Sequence, residues 1–122
     1  FIEEKDMSPQ EREIFKMTGE VFNLMGGKPQ NIADVKISKT MRKDVSALTP
    51  TVGVWDSLNG RIIVHISQLR NIKIYAGTLL HEAAHAVSNR PDVDRIFELE
   101  LSSMIGTIVS KFLDMKTMYE NI

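Results

Sequence analysis

The sequence predicts an α+β fold, with three main helices packed against a small antiparallel sheet of about three strands. Three observations carry that expectation. Residues 71–89 and 93–119 hold apolar side chains at helical spacing over long stretches. Residues 34–38, 51–56 and 61–66 are short runs of strand type. Gly, Pro and Asn separate these segments where a chain must turn. At 122 residues the chain has the size of one domain, so a single core over residues 1–122 is expected.

The first helix begins at Ser8-Pro9-Gln10-Glu11. Ser8 is a suitable N-cap, Pro9 suits the first helical position, and Glu11 completes a capping box. Ile14, Met17, Val21, Phe22 and Met25 follow on one face, and Gly26-Gly27 offers a positive-φ stop. In residues 34–38, Asp34-Val35-Lys36-Ile37-Ser38, polar and apolar side chains alternate as a half-buried strand requires. Ser57-Leu58-Asn59-Gly60 lies between two strand-like runs, and its Asn-Gly pair signals a hairpin. Residues 39–50 read as a loop. The segment 71–89 is apolar on most sides, as a buried helix is. Asn89-Arg90-Pro91-Asp92 ends it, and Asp92 or Asp94 can cap the last helix.

Composition narrows the function classes. The formal net charge of −1 gives no electrostatic reason for binding nucleic acid or an anionic membrane. No apolar run approaches the roughly 20 residues that span a bilayer. The absence of cysteine excludes disulfides and any thiolate metal site, and fits a reducing, cytoplasmic location. Residues 1–6 do not read as a secretory signal and lack an initiator Met, so a fragment of a longer chain is expected.

Two of the three histidines fall in His81-Glu82-Ala83-Ala84-His85. A four-residue spacing stacks both imidazoles on one helix face, where they can converge on one tetrahedral zinc ion at roughly 2.0–2.1 Å. Glu82, beside them, is the catalytic base in such sites: it takes a proton from water that the metal has acidified to a pKa near roughly 7. The competing reading is a chance arrangement of core histidines and a surface acid. It would bury ionisable groups on an apolar helix at roughly 1–3 kcal/mol for each unsatisfied group.

A catalytic zinc site takes three protein ligands and keeps one open position. The longer three-histidine pattern would need Gly at 88 and His at 91, where Ser88 and Pro91 stand. A carboxylate is therefore the expected third ligand, giving the two-His, one-Glu set of gluzincins. At about 100° per residue, Leu101, Ile105, Ile108, Val109, Phe112 and Leu113 form an apolar stripe with Glu98 near its middle. A core-directed acid needs a positive partner: a metal, or an Arg in a buried salt bridge. Glu100 falls on the far side, as a solvated residue. Asp94, one turn before Glu98, is either an outer-shell acceptor for a ligand histidine or a plain N-cap.

Tyr75, His65, Arg95 and Tyr119 are candidates by type for stabilising an oxyanion, each with a structural alternative. His65 is expected to be exposed or hydrogen-bonded in the core. The seven methionines read as core filler. The strand at 61–66 is a candidate edge along which a substrate backbone could add.

Gly77-Thr78-Leu79-Leu80-His81-Glu82, Ala84-His85-Ala86, Ser88, Asp92, Arg95, Phe97-Glu98, Leu101 and Gly106 together resemble a metallopeptidase domain found at the C-terminus of some bacterial ATPases. Those ATPases are of the gyrase, histidine-kinase and heat-shock chaperone type. Gly26-Gly27-Lys28-Pro29, Thr40-Met41-Arg42, Val54-Trp55-Asp56, Ile62-Ile63 and Gln68-Leu69 fit the same pattern, so the resemblance covers residues 15–106. Asn89 departs from it, standing where Gly is expected, and 96–99 is more apolar than usual.

The resemblance implies a compact gluzincin-like core with His81, His85 and Glu98 as zinc ligands and Glu82 as base. It also implies an N-terminal ATPase partner domain. The expected function is a zinc metallopeptidase acting on a peptide or protein substrate. The alternative is a non-catalytic, zinc-stabilised module that binds peptides or docks on the ATPase. A metal-free helical domain is the third and weakest reading.

Overall fold

The computed structural model describes residues 1–41, 51–90 and 94–120, without the side chains of Arg95, Glu98, Val109 and residues 117–120. Its architecture is α+β: helices α1 (Pro9–Lys16), α2 (Thr18–Leu24), α3 (Ile72–Ser88) and α4 (Arg95–Glu120), with strands β1 (Asp34–Ser38), β2 (Gly53–Asp56) and β3 (Arg61–His65). Residues 42–50, within the expected loop, and Pro91 and Asp92 lie outside the described residues.

The single first helix that the sequence predicts is two short ones. The capping box forms as expected, with Ser8 N–H donating to Glu11 Oε1 at 2.8 Å and Glu11 N–H to Ser8 Oγ at 3.2 Å. The helix then breaks at Met17 (φ −79°, ψ −2°). The cause is local. Thr18 Oγ1 donates to the Phe15 carbonyl at 2.5 Å, so a side chain competes for the backbone, and Gly19 adds low helix propensity. Gly26 and Gly27, both at φ 113°, then turn the chain out of α2.

The sheet has the order β1-β3-β2 and is mixed, which corrects the antiparallel expectation. β2 and β3 form the expected antiparallel hairpin, but β1 pairs with β3 in parallel. The tight Asn-Gly turn joins only β2 to β3, with Gly60 at φ 61°. The chain between β1 and β2 is long enough for the crossover that parallel pairing needs. β3 takes the centre because Ile62-Ile63-Val64 is the most apolar strand run; Ile62 and Val64 are fully buried. Its register against β1 is pinned where Arg61 meets Asp34 through Nε–Oδ1 at 2.9 Å and a second hydrogen bond at 3.3 Å. That guanidinium holds the Asp34 carboxyl below its usual range.

α3 packs across the sheet. Asn71 caps its start, with Oδ1 accepting from the Ile74 N–H at 2.9 Å. Tyr75 and Leu79 enter the core, and Ala83, Ala84 and Ala86 keep the contact surface flat. Asn89 ends the helix in the left-handed region (φ 54°, ψ 38°), which Asn tolerates better than other non-glycine residues. α4 lies against α3 and buries Phe97 and Met104. None of the described helices is long and apolar enough to cross a membrane.

Tyr75 belongs to this core. Its hydroxyl is 2.7 Å from Thr18 Oγ1, whose own proton goes to Phe15, so Tyr75 donates. Burial raises its pKa to about 12. A raised folded-state pKa gives stability that is complete below the unfolded value and lost as pH climbs through the folded one. Urea unfolding should therefore show stability falling between pH 10 and about 12. In Tyr75→Phe that fall should flatten, at a cost of about 1 kcal/mol near neutrality.

Candidate metal and catalytic site

His81, Glu82 and His85 lie on the last turns of α3. One ligand atom from each falls within 4.8 Å of the others. The two imidazoles are edge to face, with centroids 5.0 Å apart. Glu82 is buried at 5% exposure, and its Oε2 has under 1 Å2 of accessible surface.

The chain itself sets the state of one imidazole. His85 Nδ1 lies 2.6 Å from the Arg90 carbonyl oxygen. A carbonyl only accepts, so Nδ1 carries the proton and Nε2 keeps its lone pair when the ring is neutral. Such a backbone acceptor is the usual outer partner of a metal-binding histidine. Asn89 makes it possible: its left-handed turn folds the chain back so that the Arg90 carbonyl reaches a ring one helical turn earlier.

Phe97, from the first turn of α4, covers both rings. It stacks on His85 at 4.3 Å with an interplanar angle of 22°, and meets His81 edge-on at 5.1 Å. His85 is thus held from two sides, by a carbonyl and by an aromatic face, and His81 meets the same aromatic edge-on. On the third side stands β2. A Cβ built on Gly53 would lie 2.8 Å from Thr78 Cγ2 and 3.1 Å from Glu82 Cγ. Gly53 therefore lets the strand approach the acid closely. Gly53→Ala should lower stability by about 1–3 kcal/mol in urea unfolding, because neither contact can yield without displacing α3.

A cleft of about 400 Å3 opens beside this corner, with Glu82 and His85 on one wall and Gly53, Val54 and Trp55 on the other. β2 is an edge strand. The His65 N–H donates to the Val52 carbonyl at 2.9 Å, which fixes the ladder's phase. Alternation then turns the N–H and C=O of Gly53 and Trp55 away from β3, toward the open edge. The strand expected to receive a substrate, at 61–66, is paired on both sides and cannot do so; among the described residues β2 is the unpaired edge at the site.

The other candidates divide cleanly. His65 is hydrogen-bonded: Nε2 donates to the Lys39 carbonyl at 2.9 Å, leaving Nδ1 to accept from the Ser67 N–H at 3.2 Å. Tyr75 is committed to Thr18 and is structural. Asp94 is an N-cap, its Oδ1 accepting from the Ile96 N–H at 2.8 Å. The side chains of Arg95, Tyr119 and Glu98 lie outside the described residues. The stripe that put Glu98 at its centre is only in part the packing face of α4: Leu101 packs against the core, but Ile105 is 61% exposed while Phe97 and Met104 are buried. The ligand reading of Glu98 now rests on the resemblance, and on the neighbouring Phe97 bringing the first turn of α4 against both imidazoles.

Sequence reasoning gave Phe97, Gly53 and Arg90 no role at the site. Phe97 entered only as one of the residues that carry the resemblance. Arg90 acts through its backbone, which leaves no side-chain signature. Comparison with family models, with curated proteins and with solved structures gave no match.

Proposed function

We propose that this protein is a zinc metallopeptidase of the HExxH type, with His81 and His85 as ligands, Glu98 completing the set, and Glu82 as general base. The observation that supports it most is the convergence of His81, Glu82 and His85 within 4.8 Å, at the head of a cleft walled by a free strand edge. The donor set suits the ion: two imidazoles, one with Nδ1 already committed to a carbonyl, and carboxylate rather than thiolate as the remaining donor type.

When bound, zinc supplies Lewis acidity, making water acidic near neutral pH and polarising a carbonyl. The remaining steps belong to the chain. A peptide lies extended along β2, and the outward N–H and C=O groups of Gly53 and Trp55 hold its backbone. That fixes one carbonyl beside Glu82 and supplies proximity before any bond changes. Glu82, which lines the cleft, takes a proton from the attacking water. The proton then passes to the leaving amine. Phe97 and the Arg90 carbonyl keep His81 and His85 in place throughout.

The test is incubation of the zinc-loaded protein with a peptide library in 18O water, read by mass spectrometry. The expected result is new C-termini carrying solvent oxygen, lost on chelation. Zinc binding without any cleavage would leave the docking module as the better reading.

A further inference from the structure

Beyond the metal ligands and the base, the cleft has a wall of hydrogen-bond donors. Ser57 at the end of β2, and Asn89 and Arg90 past the end of α3, line it together with Glu82. Among the described residues no ion pair or side-chain hydrogen bond engages Ser57, Asn89 or Arg90; the bonds of Arg90 run through its backbone. Two other arginines of the chain are engaged elsewhere. Arg61 is paired with Asp34, and Arg12 donates to the carbonyls of Glu4 and Met7. The acid nearest along β2, Asp56, is occupied within its own turn by Asn59 and the Leu58 N–H. A guanidinium, an amide and a hydroxyl left over around one cleft form a donor set for a carboxylate.

We infer that the cleft selects peptides that present a carboxylate to Arg90, supported by Asn89 and Ser57. This rests on the metallopeptidase reading for its geometry, since Trp55 of β2 and Asn89 and Arg90 beyond α3 line the same cleft. The carboxylate has two possible sources: an Asp or Glu side chain within the peptide, or the peptide's own C-terminus. Arg90 lines the cleft and its carbonyl orients His85, so one residue links metal-site geometry to substrate choice.

Trp55 is the only tryptophan and lines the cleft, so its fluorescence reports occupancy. The experiment titrates zinc-loaded Glu82→Gln protein, which should bind without turnover, with matched peptides. Internal Glu is compared with internal Gln, and free with amidated C-termini, in each case at low and high salt. A carboxylate should strengthen binding by about tenfold or more, the gain shrinking as salt screens it. The peptide pair that shows the gain identifies the source. Arg90→Gln should remove the preference with zinc content unchanged, and Arg90→Glu should invert it toward Lys-bearing peptides. Equal binding of all peptides, or a preference that survives Arg90→Gln, overturns the inference. Cleavage by the wild-type chain is scored separately, so carboxylate-selective binding without hydrolysis would count against the enzyme reading and for this one.

Discussion

Replacing Glu82 with Gln is expected to leave zinc binding intact and to reduce peptide hydrolysis by at least about 100-fold, the scale of a lost general base. The two side chains have nearly the same shape. The close packing of Gly53 against the Glu82 stem is therefore kept, and the fold should not report the change. What is lost is the ability to accept a proton from water at the wall of the cleft. Metal analysis together with a steady-state assay separates the alternatives. A variant that loses its zinc would place Glu82 among the ligands. One that retains both zinc and full activity would remove Glu82 from the chemistry.

His85→Ala and His81→Ala are expected to have the largest effect on metal. Each removes an imidazole from a site with few other donors. Loss of an outer-shell partner alone costs about 10–100-fold in affinity, so loss of a ligand should exceed that. The thermal signature follows from mass action. Zinc at 100 times its Kd should stabilise the wild-type chain by about 2.7 kcal/mol and leave either variant unmoved. His65→Ala is the control. His65 is committed to Lys39 and Ser67, so its loss should lower stability and leave the zinc-dependent shift in place.

The fold was legible wherever a local signal decided it. The Ser8 capping box and the Asn71 start of α3 follow from side chains acting on nearby backbone, and the Asn-Gly turn before β3 and the Asn89 end of α3 from residues that tolerate positive φ. What the sequence misread were features decided by tertiary competition. Period-two alternation marks a strand but not its neighbour, so the parallel pairing of β1 with β3 was invisible. The face of α4 is only partly read for a related reason: Leu101 packs as expected, but three other residues of the stripe do not. Ile105, Phe112 and Leu113 are as apolar as the buried Phe97 and Met104, and hydropathy alone could not rank them.

The candidate site was half legible. His81, Glu82 and His85 announce themselves because ligand geometry is written in helical spacing, and the structure brings all three together. The supports around them are contacts between distant segments or backbone atoms. The Phe97 stack, the Arg90 carbonyl and the approach of Gly53 carry no local pattern. The free edge was assigned to β3 because a strand's own sequence does not say how many neighbours it has.

The central claim is that these side chains hold one zinc ion. Anomalous diffraction at the zinc absorption edge, from crystals grown with the metal, tests it directly. The account predicts a single strong peak at roughly 2.0–2.1 Å from Nε2 of His85 and a ring nitrogen of His81, with the Glu98 carboxylate as the third protein ligand. A peak seated on other side chains, or no peak between the two imidazoles at saturating zinc, would contradict it.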